Sequence, residues 1–494
     1  MKKNVLALSI AAMIGGLGFA GAASAQALPT LNVNESGTGH MLLVPYYTAQ
    51  NGNMSVFHVV NTDTMNGKAV KVRFRGASNS DDVLDFQVFL SPGDVWTAAV
   101  SKGENGAGQL TTADGSCTLP AITKDVPVSF VQDRLPASMS AENKVNNTRE
   151  GYVEIFNMAD IDGRAIYTVD GVPNRNSPLY TAIKHKAGVA PCTDSVLQGT
   201  LTTEAATTGL VVPTSGLLGS WYIINVPQTT TFSGAASAIV ATGETRNVFS
   251  AQSNGAATLF SADPLFKSGI IPAQKYDVPD LSTPYLAVTP ATQAGADAQA
   301  SALVQALIKD AVVNQYANDA IISAKTDWVF SMPTRRYTIA ANYAAATTGT
   351  VADTAVATKA ATYRVINTAV GSYFSNPVNT TVNSVGQICA SAIGATFFDR
   401  EETSRVSGAV FSPGTATTTP LCGEVSVLSF ADSGVLGASL AHSVVTGLYT
   451  NGWGRIALAA DVPLLGAAFI KVSNPNATPG VSGNYGITWP HAYK

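Results

Sequence analysis

The chain has 494 residues, a length that predicts two to four domains of about 100 to 200 residues each. Charged residues make up 13% of the sequence, about half of the roughly 25% usual in soluble proteins, so Thr, Ser, Asn, Gly and Ala must build much of the surface. Lys and Arg number 29 against 33 Asp and Glu. This balance excludes a generally basic nucleic-acid-binding surface, and the 46% hydrophobic content argues against intrinsic disorder.

Residues 1–25 have the features of a secretory signal peptide. Two lysines precede an uncharged apolar stretch, and the small residues from Ala23 to Ala25 form a cleavage site. The apolar stretch is short and interrupted by glycine, which is weak for a membrane span of about 20 residues. No later stretch is apolar over such a length, so no transmembrane segment is predicted. We therefore expect an exported protein, located at the outer cell surface or outside the cell.

The N-terminal half shows strand patterns separated by turns. From Ser55, an apolar strand, a polar turn with Asn66 and Gly67, and a second strand predict a β-hairpin. In the second strand apolar and basic side chains alternate, which predicts that the apolar set faces the core and the basic set faces solvent. A basic row could instead bind phosphates or acidic sugars. The apolar set is Val70, Val72 and Phe74, and the basic set is Lys71, Arg73 and Arg75.

One segment has a helical pattern. Between Asp297 and about Lys325, apolar residues recur near a period of 3.6, as in Leu303, Leu307 and Ile308. The sequence therefore predicts a mainly β fold with two β-sandwich-like, immunoglobulin-like regions and one long connecting helix. The expected division is a signal peptide over 1–25, a β-rich domain over 26–290, a helical connector over 291–326 and a second β-rich domain over 327–494.

Four cysteines in an exported chain indicate two disulfides, because an even number in an oxidising compartment favours pairing. Three connectivities are possible, and proximity in sequence favours the first with the second and the third with the fourth. Buried free thiols are the alternative, and metal binding is disfavoured because no CxxC spacing occurs. The cysteines are Cys117, Cys192, Cys389 and Cys422.

Catalytic signatures are weak. The chain has five histidines and lacks an HExxH motif, a Walker A loop and a GxGxxG turn, so zinc-protease and nucleotide-binding functions have no support. Asp399, Glu401 and Glu402 could form a carboxylate group of the kind that glycosidases use, but a solvated turn explains them more simply.

The string NMADIDGRAIYTVDG suggests the only metal site. Asp160 and Asp162 resemble the opening of a calcium loop, and Asp170 lies further along. Arg164 and Gly171 stand where an EF-hand would need ligands, so an Asp-Gly hairpin turn is an equally good interpretation. Calcium is accordingly a possible ligand, and no other cofactor is predicted.

Several strings across the mature chain resemble a family of exported cell-surface, surface-layer-like proteins of Gram-negative proteobacteria. The resemblance runs from about Gly37 to Trp489 and implies an envelope location and a β-rich body, without established catalytic residues. The strings are GTGHMLLVPYYT from Gly37, FHVVNTD from Phe57, VRFRGASNSDDVLDFQVFLSPGDVW from Val72, TREGYVEIFNMAD from Thr148, LLGSWYIINV from Leu217, TDWVFSMPTRR from Thr326 and LLGAAFIKV from Leu464.

These observations together favour a non-enzymatic structural or assembly protein of the outer cell surface. Because Thr, Asn and Ala surfaces can pack with little charge desolvation, copies of the chain are its first expected partners. A cell-envelope glycan or lipopolysaccharide is a second, and nucleic acid is not expected. The alternatives are a carbohydrate-binding adhesin, which an exposed row of Trp and Tyr would favour, and a secreted glycan hydrolase.

Overall fold

The computed structural model describes most of the chain after residue 29. The signal-peptide prediction over 1–25 and the first part of the predicted helical connector, residues 291–300, lie outside the described residues. The described residues are 30–132, 135, 139–164, 167–169, 172–174, 176–200, 209–242, 276–277, 301–335, 339–342, 349–352, 363–365, 380–383, 387–392, 394–406, 420–431, 434–440, 442–445, 449–474, 476–478 and 483–493.

The part of the chain before residue 243 contains seventeen described strands and three short helices. The helices are α1 (Ala141–Arg149), α2 (Pro178–Ile183) and α3 (Asp194–Gly199). The strands are β1 (Thr30–Val33), β2 (Thr38–Gly39), β3 (Met41–Thr48), β4 (Asn53–Asn61), β5 (Gly67–Gly76), β6 (Asp82–Leu90), β7 (Val95–Lys102), β8 (Gly108–Thr111), β9 (Cys117–Leu119), β10 (Val128–Ser129), β11 (Glu150–Ile161), β12 (Tyr167–Val169), β13 (Val172–Asn174), β14 (Leu210–Val211), β15 (Leu217–Asn225), β16 (Thr230–Ala235) and β17 (Ser237–Thr242).

The later part contains the remaining described strands and a helical turn over residues 301–307. The strands are β18 (Tyr276–Asp277), β19 (Ile308–Ala317), β20 (Lys325–Ser331), β21 (Ile339–Asn342), β22 (Gly349–Ala352), β23 (Tyr363–Val365), β24 (Thr380–Val382), β25 (Ile388–Ser391), β26 (Gly394–Phe398), β27 (Ser404–Val406), β28 (Pro420–Cys422), β29 (Val425–Phe430), β30 (His442–Val445), β31 (Asn451–Pro463), β32 (Leu465–Ser473), β33 (Asn484–Pro490) and β34 (Ala492–Tyr493). The prediction of a mainly β fold is confirmed.

Two antiparallel sheets dominate the first half. The central sheet has the order β1-β17-β3-β11-β5-β6-β9, with β14 beside β11. The outer sheet has the order β10-β8-β7-β4-β15-β16, with β2 beside β15. A first hydrophobic core lies between them, because every second residue of each strand points to it. It includes Val72 and Phe74 of the central sheet and Phe57, Trp96 and Trp221 of the outer sheet.

The second half forms further sheets that pack against the first. The third sheet has the order β27-β26-β31-β19-β34, and the fourth sheet has the order β30-β29-β20-β32-β33. Trp328, Phe397 and Phe430 lie in a hydrophobic core that both sheets share. The fourth sheet also contributes Val427 and Phe469 to the first core. Because both halves share this core, the prediction of two separate immunoglobulin-like sandwich regions is not confirmed.

The predicted hairpin from Ser55 to Arg75 is wrong. Strand β4 pairs with β7 and β15 in the outer sheet, whereas β5 pairs with β6 and β11 in the central sheet. The connection therefore crosses between sheets. Gly67 occupies the start of β5 because a side chain there would meet Ile183 and the Leu90 carbonyl at 2.7 and 2.9 Å, so its glycine serves close packing and not a tight turn.

The predicted long helix is also wrong over most of its length. The described residues are helical over 301–307, but 308–317 form β19, which pairs with β31 and β34. In this strand Val312, Asn314 and Tyr316 are buried while the residues between them are more exposed. The β-branched and aromatic side chains follow a period of two here, and pairing on both sides outweighs the apolar recurrence that resembled a helix.

The basic row of β5 does not face solvent. Lys71 and Arg73 are fully buried, with Lys71 Nζ 3.0 Å and Arg73 Nε 2.8 Å from the carboxylate oxygens of Asp85. Arg75 Nε lies 3.3 Å from a Glu154 carboxylate oxygen. A second hydrophobic cluster, which includes Leu303 and Leu307 from the helical turn and Leu179 of α2, packs on the central sheet. Both faces of this sheet are therefore covered.

Both favoured disulfides are confirmed. Cys117 of β9 is bonded to Cys192, across 75 residues of sequence, and Cys389 is bonded to Cys422 across 33. The second bond joins directly opposite positions of the paired strands β25 and β28. In the chain-entropy account each bond stabilises the fold by roughly 4 kcal/mol by restricting the unfolded chain.

Candidate interaction surface

The outward side of the outer sheet forms a continuous surface over β7, β4, β15 and β16. Because the inward positions of these strands fill the first core, the alternate positions turn away from it. We call these outward residues the uncharged face. They are Met54, Val56, His58, Val60, Val95, Thr97, Ala99, Ser101, Leu218, Ser220, Tyr222, Ile224, Thr231, Ser233 and Ala235.

The strand register arranges these residues in rows across the sheet. One row is apolar, and its outer members Val95 and Leu218 are 39% and 37% exposed. In the next row the His58 ring nitrogen Nε2 lies 3.1 Å from the hydroxyl of Tyr222, on the neighbouring row. The rows are Val95-Val60-Leu218, Thr97-His58-Ser220-Ala235, Ala99-Val56-Tyr222-Ser233 and Met54-Ile224-Thr231.

The uncharged face contains no Asp, Glu, Lys or Arg. Its only basic residue is His58. Its remaining side chains are aliphatic, aromatic, or short hydroxyl groups, which can be removed from water at low cost when hydroxyl groups find a partner. A surface of this kind is suited to contact with another surface of the same chemistry.

The face is of moderate size. Its four strands at about 4.8 Å spacing, with eight residues of about 3.3 Å each, give roughly 500 Å². The largest apolar patch on an ordinary monomer is about 300 to 600 Å², and a stable pairwise interface buries about 800 Å² on each partner. One such contact alone should therefore be weak.

The predicted calcium residues do not form one group in the described structure. Lys68 Nζ lies 2.9 Å from Asp160 Oδ1, so a buried lysine neutralises this carboxylate. The Asp162 carboxylate accepts the backbone N–H of Arg164 at 2.7 Å, and Asp170 lies outside the described residues. Within the described ranges, no three His, Cys, Asp or Glu side chains are placed to hold a metal ion. The site that includes Asp170 stays a prediction.

The acidic group near residue 400 is a turn in the structure. Asp399 Oδ1 accepts the backbone N–H groups of Glu401 and Thr403, each at 2.9 Å. The side chains of Glu401 and Glu402 are exposed. These contacts are those of a solvated turn.

Sequence reasoning missed a buried carboxylate that joins the two halves of the chain. Glu150 is fully buried, and its carboxylate accepts hydrogen bonds from the backbone N–H groups of Ser439 and Leu440 and from the Tyr46 hydroxyl. Burial raises the pKa of Glu150 to about 7, although these hydrogen bonds oppose the rise. Ser439 lies 289 residues away in sequence, so no local pattern could have revealed the contact.

No known protein family, curated protein or solved structure matches this chain. Among the described residues, no helix combines the length and apolar character needed to cross a membrane.

Proposed function

We propose that this protein is a non-enzymatic structural component of the outer cell surface and that it associates with copies of itself through the uncharged face. The observation that carries the proposal is the absence of Asp, Glu, Lys and Arg from the outward positions of β4, β7, β15 and β16. Two copies can bring such faces together without desolvating a charge or opposing like charges. A face-to-face contact of this kind is self-complementary and fits a twofold-symmetric pair.

Export is the second part of the proposal. It is supported by the signal-peptide features of residues 1–25 and by the two disulfides, which form and persist in oxidising compartments. An extracellular structural protein also benefits from crosslinks that resist unfolding outside the cell.

The size of the face supports an assembly of many weak contacts. At roughly 500 Å² per partner, the contact is smaller than that of a typical stable dimer. A twofold contact through this face closes a pair, so an array needs a second contact elsewhere on each copy, and avidity can then hold an ordered array whose single contacts are weak. We therefore expect concentration-dependent association of the purified mature chain and ordered sheets on intact cells.

The test uses charge substitutions at the two most exposed apolar positions of the face. Val95→Lys and Leu218→Lys should each shift sedimentation-velocity profiles toward monomer, because every contact would then desolvate two ammonium groups. Val189→Lys, at a 67% exposed valine outside the face, is the matched control and should associate like the wild type. Circular dichroism would verify that all three variants fold. Wild-type chain that stays monomeric at high concentration, or variants that associate normally, would refute the proposal.

On cells, the corresponding measurement is electron microscopy of envelopes with and without the gene. Ordered sheets that disappear with the gene and with Leu218→Lys support the structural function. A monomer released into the medium, with no regular surface structure, contradicts it.

A further inference from the structure

The third sheet, which contains β26, β31 and β19, presents a second exposed surface with a different chemistry. Trp453 lies on β31 between β26 and β19, directly opposite Phe398 on one side and Gln315 on the other. The rings of Trp453 and Phe398 stack with centroids 4.3 Å apart and an angle of 11° between planes. Trp453 is 41% exposed, so one face of a paired aromatic platform is open to solvent.

The platform is held rigidly from beneath. Gly452 and Gly454 flank Trp453, and a side chain on Gly454 would lie 2.4 Å from the Phe397 ring and 3.1 Å from the Trp328 ring. Trp328 in turn donates its indole N–H to the Gln315 carbonyl at 3.0 Å. Because Gly454 sits directly on buried aromatic rings and Gly452 sits against the Phe398 backbone, the Trp453 backbone is already ordered before a ligand binds.

Polar side chains surround the platform in the next positions of the same face. Gln315 and Arg455 are exposed, and Thr396 lies opposite Arg455. Within the described residues, neither Gln315 nor Arg455 has a side-chain hydrogen bond or ion pair. On the strand segments 394–398, 313–315 and 453–457, Arg455 is the one charged side chain. An open aromatic plane therefore lies beside an amide and a guanidinium that are available to a ligand.

We propose that this surface is a binding site for a saccharide with an anionic substituent. The C–H face of a pyranose ring is apolar and can lie on the open face of the Trp453 ring, whose position the stacked Phe398 ring fixes, while its hydroxyl groups bond to Gln315 and Thr396. Arg455 selects an acidic sugar because a guanidinium binds carboxylate or phosphate through paired hydrogen bonds. Phe398 to Gln315 spans three strands, about 10 Å, which accommodates one to two sugar rings.

The experiment measures binding of defined oligosaccharides to the full mature chain by calorimetry. The probes are tetragalacturonate, which carries carboxylates, a mannose 6-phosphate oligomer, which carries phosphates, and neutral maltotetraose. We expect one of the anionic probes to bind more tightly than maltotetraose, and the preferred arm identifies the acidic group. No binding by either anionic probe at millimolar concentration overturns the proposal.

Variants assign the binding to this surface. Trp453→Ala should weaken binding about tenfold through lost ring contact. Arg455→Gln should reduce the preference for the anionic probe over maltotetraose while leaving neutral binding unchanged. Trp489→Ala, at a 47% exposed tryptophan on β33, is the matched control and should bind like the wild type. Equal binding by the wild type and Trp453→Ala, or loss of binding in Trp489→Ala alone, overturns the assignment.

Discussion

His491 is held as a neutral imidazole by the groups on either side of its ring. Nε2 lies 2.9 Å from the Val329 carbonyl and must donate to it, while Nδ1 lies 2.9 Å from the Asn314 amide nitrogen and must accept from it. A proton on Nδ1 would oppose the Asn314 donor inside a buried site. Burial lowers the pKa of His491 to about 3, with the Val329 hydrogen bond opposing the shift.

We predict that His491 makes the fold sensitive to acid. Its pKa in the folded state lies below the ordinary 6.5, so its contribution to stability is complete above pH 6.5 and is lost as pH falls. The stability of the wild type relative to His491→Gln should fall by about 3 kcal/mol between pH 7.5 and 4.5. Urea unfolding at each pH measures this difference. His442→Gln, at an exposed histidine, should show no such change, and parallel curves for all three proteins would contradict the prediction.

Glu150 should act in the opposite direction. Its folded pKa of about 7 lies above the usual 4.5, so the stability it contributes is complete below pH 4.5 and is lost as pH rises through 7. The stability of the wild type relative to Glu150→Gln should therefore fall by roughly 3 kcal/mol between pH 4.5 and 8. Subtracting the free energies of unfolding of the two proteins at each pH cancels the contribution of the histidines, because both proteins contain them. Exposed Glu104→Gln is the control, and a pH-independent difference for Glu150→Gln would refute the prediction.

At the scale of elements, one carboxylate neutralises two basic side chains of β5. Asp85 on the neighbouring β6 neutralises both Lys71 and Arg73, and all three side chains are fully buried. Burial lowers the pKa of Lys71 to about 8, and Asp85 limits that decrease. Loss of Asp85 would remove the carboxylate that both buried cations contact.

We predict that Asp85→Asn destabilises the protein by about 3 to 5 kcal/mol, the usual cost of breaking a buried ion pair from one side. Thermal and urea unfolding would measure it. Asp125→Asn removes the same charge from an exposed position and should change stability by less than about 0.5 kcal/mol. A loss for Asp85→Asn as small as that of the control would show that the charges of β5 are effectively solvated.

The strands themselves were predictable, but their partners were not. The alternation of Val72 and Phe74 with Arg73 correctly indicated a strand with one apolar face in a core. The same alternation cannot show whether the other face meets water, and here a second layer covers it. The turn before Gly67 could likewise join two strands of one sheet or two sheets, because local turn chemistry does not specify which strands pair.

The two surfaces differed in how much the sequence revealed. The uncharged face follows from period two in strands such as LLGSWYIIN, once Trp221 is known to point inward. The Trp453 platform could not be found this way, because β19 supplies Gln315 and the helical pattern there was misleading. Pairing between strands about 140 residues apart in sequence brings Gln315 beside Trp453.

At the scale of the whole molecule, the sequence is low in charged residues, and the fold buries several of those it has. Thirteen Asp, Glu, Lys and Arg side chains are buried in the described structure, so these charges do not contribute to its surface. The central sheet concentrates many of them, including Lys68, Arg75 and Glu154. Ionic groups thus fix contacts inside the molecule, while the outer sheet presents apolar and hydroxyl groups. This division favours association that depends on surface burial over association that depends on charge.

This division predicts how salt should affect self-association. Because no charged residue lies on the uncharged face, screening has no ion pair to weaken, and the association constant should change less than about twofold between 0.05 and 0.5 M NaCl. Ammonium sulfate should strengthen association, since excluded salts favour burial of apolar surface. Sedimentation equilibrium of the mature chain measures both effects, with Leu218→Lys as the variant that stays monomeric at moderate sulfate. Dissociation by 0.5 M NaCl would show that charged groups elsewhere on the molecule form the contact.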